Sequence, residues 1–104
     1  VKTYRLSAPA EEDLFSIFLY TVEKWGEEQV YIYLGRIHDA FTLLADTPFA
    51  VGSKSRDDLA TRCRLFKIGH HLIAYRPEQG YLAIARILHE SMDFEQHIAE
   101  SHFP

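Results

Sequence analysis

Between Arg62 and Leu88 the chain runs in short segments rich in β-branched and aromatic residues, each bounded by Gly or Pro, which is the pattern of strands joined by tight turns. Three strands are predicted: Arg62 to Ile68, turned at Gly69; His70 to Arg76, turned at Pro77-Glu78-Gln79-Gly80; and Tyr81 to Leu88. Together they form an antiparallel β-meander. The first half of the chain follows a different period. After a short alternating segment, Tyr4-Arg5-Leu6, Ser7 offers a side-chain oxygen to the free N–H groups of a helix start, and Pro9 falls in the first turn, where its missing N–H costs nothing. Leu14, Ile17, Phe18, Thr21, Val22 and Trp25 then recur at three- and four-residue spacing, widened by Phe15 and Leu19, until Gly26 ends the helix. Glu27 and Glu28 open a second helix with the stripe Val30, Tyr33, Leu34, Ile37, Ala40, Phe41 and Leu44. It stops by Asp46-Thr47-Pro48, because the residue before proline disfavours helix.

So short a link at Gly26 forces the helices into an antiparallel hairpin. The expected fold class is therefore α+β: a short N-terminal strand, a helical hairpin on one face of the sheet, then the three-stranded meander, with the first strand at the sheet's edge. Alternation places His71, Ile73 and Tyr75 opposite Leu72, Ala74 and Arg76, and Leu82, Ile84, Arg86 and Leu88 opposite Tyr81, Ala83, Ala85 and Ile87. Both faces carry apolar residues while two helices cover only one. This predicts an open groove for a partner segment or an added strand; burial of both faces within the chain or a homodimer is the competing arrangement. Phe49 to Asp58 reads as a loop. Met92 to His102 reads as one or two helical turns, capped by Asp93 and anchored by Phe94 and Ile98, within a polar tail from Ser91 to Pro104.

The 104 residues, 47% of them hydrophobic, suffice for one core, so one domain over 1–104 is expected. No segment approaches the roughly 20 apolar residues of a membrane span, and VKTYRLS lacks the apolar region of a signal peptide, which predicts a cytoplasmic protein. Cys63 is the single cysteine, which excludes a disulfide framework and a thiolate zinc site. Charge changes the picture more than composition does. The net of −4 divides into −4 over residues 1–53, where Lys2, Arg5, Lys24 and Arg36 are outnumbered, +4 over 54–88 and −4 over 89–104. The meander is thus expected to be a cationic platform on an acidic protein. His70 and His71, adjacent in a strand, point to opposite faces, so neither a metal site nor a cofactor is expected. His89, at the end of the last strand, is either a proton-transfer group or a residue that fixes the strand end.

Taken in order, Leu6-Ser7, Ala10, Asp13-Leu14 and Ile17, then Trp25-Gly26-Glu27-Glu28-Gln29 with Tyr33-Leu34, Phe41, Leu44 and Pro48, then Arg64, Phe66, Gly69, His71, Ile73, Tyr75-Arg76 and Arg86-Ile87-Leu88-His89 with Asp93 resemble a ParE-type toxin of the RelE/ParE superfamily over residues 4 to about 94. The resemblance implies a bacterial toxin of a type II toxin–antitoxin module of the plasmid-stabilisation kind. Such a protein inhibits growth by binding DNA gyrase without catalysis, and a ParD-like antitoxin neutralises it in a hetero-oligomer. Sequence-specific nucleic-acid binding and membrane association are not implied.

The candidate target contacts are Arg62, Arg64, Arg76, Arg86, His89, Ser91, Met92 and Phe94. The candidate antitoxin contacts are Tyr31, Leu72, Ala74, Arg76, Leu82, Ile84 and Arg86. The other helix aromatics, Trp25 among them, are assigned to packing. The rival function, ribosome-dependent mRNA cleavage as in the RelE branch, would cast Arg64, Lys67, Arg86, His89 and Glu90 as phosphate clamps, acid and base. A non-toxic antitoxin-binding module is the third reading.

Overall fold

Ser7 starts the architecture as its residue type requires. In the computed structural model, which describes residues 3–104, its side chain accepts from the Ala10 N–H at 3.0 Å and donates to the Ala85 carbonyl at 2.6 Å, so one hydroxyl caps a helix and ties it to the sheet. Lys2 lies outside the described residues. Helix α1 spans Ala8–Trp25 and α2 spans Glu27–Asp46. Gly26, at φ 89°, is the entire link, a left-handed backbone that only glycine adopts cheaply.

The strands are β1 (Thr3–Leu6), β2 (Lys54–Ser55), β3 (Arg64–Ile68), β4 (His71–Glu78) and β5 (Tyr81–His89). They form one sheet in the order β1-β5-β4-β3-β2. The α+β class and the meander are as expected, but the sheet is mixed: β1 pairs with β5 in parallel, Thr3 opposite Tyr81 through Leu6 opposite Ile84. The short β2, within the segment read as loop, adds a fifth strand beside β3. Arg62 and Cys63 do not belong to the first meander strand, because Arg62 sits in the left-handed region at φ 58° and the chain turns there. The second strand runs on through Pro77 to Glu78, and its turn shrinks to Gln79-Gly80; proline is tolerated because the β3 pairing has already ended at Tyr75.

A β-bulge overturns the expected alternation in β5. Ala74 pairs with Arg86 and Tyr75 with Ile84, leaving Ala85 unmatched. Leu82 and Ile84 therefore join the helix-side core with Ile37, Phe41, Leu44, Ile73, Tyr75 and Ile87, whereas Leu88 belongs to a second core on the opposite face. That face is not an open groove. Ala60, Cys63, Leu65, Ala74, Leu88 and Ile98 are buried there, with Leu59, Leu72, Phe94 and Phe103 packed against them. The covering chain is the 56–63 loop and the tail, which forms a one-turn helix, α3 (Phe94–His97), and a 3-10 turn over Glu100–His102. Asp93 caps α3 through the Glu95 N–H at 3.1 Å, as predicted.

The helix stripes are half right. In α2, Val30, Ile37, Ala40, Phe41 and Leu44 are buried, while in α1 only Ala10, Ile17 and Thr21 are. Trp25, assigned to packing, is 65% exposed, and Phe15 and Leu19 are exposed too, because the hairpin crosses the sheet with one narrow edge of α1 inward.

Gly69 gives a sharp test of helix–sheet fit. Its φ is +57°, and a Cβ there would meet the Tyr33 hydroxyl at 2.9 Å. Gly69→Ala is expected to cost roughly 1–3 kcal/mol in urea unfolding. An unchanged midpoint would mean that Tyr33 does not hold this turn.

Candidate functional site

Four arginines were expected to form a free cationic platform; each is already engaged. Arg86 makes two hydrogen bonds to the Asp13 carboxylate, both at 2.8 Å, and a third to the His97 carbonyl at 2.8 Å. Both partners are largely buried, with side chains 16% and 13% exposed, and the pairing holds the Arg86 guanidinium above its ordinary pKa. Asp13 Oδ2, which takes Arg86 Nε, also accepts from the Ile87 N–H at 3.0 Å. Asp13 thus sits on the outer edge of β5 just past Ile84, where β1 has left the sheet.

Arg76, 11% exposed, binds Glu78 at 3.2 Å, Glu100 at 2.6 Å and the Thr61 carbonyl, and stacks 4.4 Å from the Phe103 ring. Arg62 pairs with Glu78 at 2.8 Å, and Arg64 donates to Ser53 and lies over Phe49. These residues fasten the tail and loops to the sheet. They do not form a free cationic surface: carboxylates neutralise Arg62, Arg76 and Arg86, and Arg64 is held by Ser53 and the Phe49 ring. The tail itself is anchored by Ile98, buried in the second core, and by the Tyr81 hydroxyl donating to the Pro104 carbonyl at 2.7 Å.

The residues of the rival nuclease set fall into four separate networks: Arg64 with Ser53, Arg86 with Asp13, Lys67 and Glu90 with His70, and His89 with Ser91. Hydrogen bonds from Lys67 and His70 pull Glu90 down to about 2, which makes it a weak base. His89 Nδ1 accepts from the Ser91 N–H at 3.1 Å and so closes the strand end. Of the antitoxin candidates, Ala74, Leu82 and Ile84 are wholly buried in the chain's own cores, Leu72 packs into the second, and Arg76 and Arg86 are engaged as above. Those placements replace the open-face expectation. Tyr31 is different: it stands 67% exposed. Ser91 and Met92 are exposed beside His89, and Phe94 is half-buried.

Apart from Tyr31, sequence reasoning missed the outward apolar face of the hairpin: Phe15, Leu19, Tyr20 and Trp25 on α1, Ile32 and Leu43 on α2. The signal was present, since α1 carries more apolar residues than one stripe can bury. At one end of the sheet, His71, His89 and Tyr20 stand between two adjoining clefts, one reaching Asp13 and the other Trp25. Cys63 takes no part; it is wholly buried, and burial pushes its thiol up to about 11. Among the described residues no helix is long and apolar enough to cross a membrane, and no group of three or more His, Cys, Asp or Glu is placed to hold a metal.

A helical hairpin on one face of a mixed sheet, with an outward apolar helix surface, is the form of a small toxin of the RelE/ParE class. Comparison with known proteins makes this particular. The family described as ParE toxin of type II toxin–antitoxin system, parDE, matches residues 4–94, and the chain belongs to that family. It is 34% identical over 100 residues to Toxin ParE of Escherichia coli, covering 93% of each chain. It is 32% identical over 98 residues to Toxin ParE1 of Caulobacter vibrioides, covering 94% of this chain and 99% of that one. Toxin ParE1 of Mycobacterium tuberculosis is 29% identical over 96 residues, with 91% and 96% covered.

Two outcomes are expected. Arg86→Met strands the Asp13 carboxylate at a dry edge and should cost about 3 kcal/mol in chemical denaturation, whereas adding Asp13→Leu should cost less than the two single changes combined. The second concerns acid. The Thr61 N–H, at 2.7 Å, and then Arg76 hold the Glu100 carboxyl below its ordinary range. A depressed folded value means that this contact stabilises the tail fully above the unfolded value near about 4.3 and is lost as pH falls through the folded one. Hydrogen exchange at the Thr61 amide should accelerate across that window, and Glu100→Gln should remove the acid dependence.

Proposed function

We propose that this chain arrests bacterial growth by binding DNA gyrase and trapping its cleaved-DNA intermediate, and that a ParD-like antitoxin neutralises it in a hetero-oligomeric complex. The observation that carries the reading is the family match across residues 4–94, joined to the kind of surface the fold leaves open. Arg62, Arg76 and Arg86 of the sheet are consumed in internal ion pairs, while Phe15, Leu19, Tyr31 and Ile32 stand exposed. Exposed aromatic and aliphatic side chains on helices suit a partner protein, because their burial supplies affinity that a neutralised charge does not. In this reading the antitoxin covers the outward face of α1 and α2 with Tyr31 as a contact. The target is met at the end of β5 and the start of the tail, where His89, Ser91 and Met92 are accessible. The protein acts by binding and performs no covalent chemistry.

Purified chain added to gyrase is expected to abolish supercoiling and accumulate linear DNA, with mRNA on translating ribosomes left whole; antitoxin added first should restore supercoiling. Cut mRNA with unaffected gyrase would overturn the proposal in favour of the nuclease.

A further inference from the structure

One cleft shares Tyr20, Trp25 and His89 with the surfaces assigned above but also holds Arg36, Tyr33 and His71, which that reading does not use. It lies at the end of the sheet beneath the hairpin, and its walls come from α1 (Tyr20, Trp25), α2 (Tyr33, Arg36) and the turn and strand ends that carry His70, His71 and His89. Its chemistry is uneven in an informative way. Tyr20 and Trp25 present exposed rings at the rim. Arg56, Arg62, Arg76 and Arg86 are ion-paired, and Arg5 and Arg64 lie over the Tyr81 and Phe49 rings, whereas Arg36 has neither a carboxylate within ion-pair distance nor an aromatic ring beneath it among the described residues. Inside, the Tyr33 hydroxyl lies 3.1 Å from the Ile68 carbonyl and shares a 2.5 Å hydrogen bond with His71 Nδ1. Burial, and then the neighbouring His89 and His70, lower the His71 pKa and favour the neutral ring. Glu90, next to His89 in the chain, is paired with Lys67 and His70.

We propose that this cleft binds a nucleotide, with the planar base against the Trp25 and Tyr20 rings and the phosphate on the Arg36 guanidinium. The shared chemistry is a base joined to a phosphate, whether as a free mononucleotide or as the end of a single strand. Stacking on an aromatic ring is worth about 1–3 kcal/mol per base and tolerates any base, and an unpaired guanidinium is the side chain best shaped for phosphate. The neutral His71 ring lines the cleft as a polar group for the base edge. An acidic peptide would satisfy Arg36 but would leave the exposed Trp25 ring without a partner, the Tyr20 ring already carrying Lys24 at 5.6 Å.

Trp25 is the chain's single tryptophan, so its intrinsic fluorescence reports the rim directly. The full-length chain would be titrated with adenosine monophosphate, adenosine, inorganic phosphate and a short single-stranded oligoadenylate carrying a 5′-phosphate. Saturable quenching by the monophosphate, at least about tenfold tighter than by adenosine or phosphate alone, is expected for a free-nucleotide site. Tighter binding of the oligonucleotide than of the monophosphate would assign the site to a strand end. Arg36→Met should weaken either by at least about tenfold while circular dichroism stays unchanged, and Tyr31→Ala, away from the cleft, should change neither. The proposal is overturned by quenching that does not saturate in the millimolar range, by equal binding of phosphate alone, or by an Arg36→Met variant that binds as the parent does. None of these readouts depends on toxicity, so its failure and that of the gyrase reading are separable.

Discussion

The Asp13 carboxylate, held by Arg86 and by the Ile87 N–H, is the contact on which the other parts of this molecule converge. β1 leaves the sheet at Leu6, and the outer edge of β5 would be bare from Ala85 onward were it not for the first turns of α1. Ser7 takes the Ala85 carbonyl and Asp13 the Ile87 amide, so two helix residues stand in for the missing strand. The bulge at Ala85 makes this possible. By inserting one residue it sends Arg86 to the face opposite the helices, from where the guanidinium returns around the edge to Asp13 and also grips the His97 carbonyl of the tail. Helix, sheet and tail therefore share one ion pair, and a charge that dry is tolerated only because every polar atom around it is paired.

The same logic governs the remaining basic residues. A sheet that looked like a cationic platform is a set of internal fasteners, with Arg76 at the centre of a clamp made by Glu78, Glu100 and Phe103. With Arg62, Arg76 and Arg86 spent within the fold, the broadest surface left for recognition is apolar and aromatic and lies on the helices. That distribution suits a toxin whose control is another protein, since such a surface is held by burial and shape rather than by long-range attraction. It also separates the two ends of the molecule. The tail side is closed by charge pairs and by Ile98, whereas the cleft at the far end of β4 and β5 holds the exposed rings, the unpaired Arg36 and the neutral His71.

Elements set by neighbours in sequence were legible from the residues alone. Ser7 with Pro9 marked the start of α1, Gly26 the hairpin link, Pro48 the end of α2, and Gly69 and Gly80 the meander turns, because capping, backbone freedom and the proline constraint act within a few residues. The stripe of α2 and the order of motifs that resembles the ParE family were legible for the same reason, each being a matter of spacing along the chain. What only the tertiary structure decided depends on residues far apart: the parallel pairing of β1 with β5, the bulge that splits Ile84 from Leu88, the tail folded over the second face, and the partners of the arginines. Asp13 and Arg86 are 73 positions apart, and nothing in the local pattern of either says that they meet. Alternation assigns a side chain to a face only while the register is unbroken, and charge along a sequence becomes charge on a surface only where no opposite group folds back onto it.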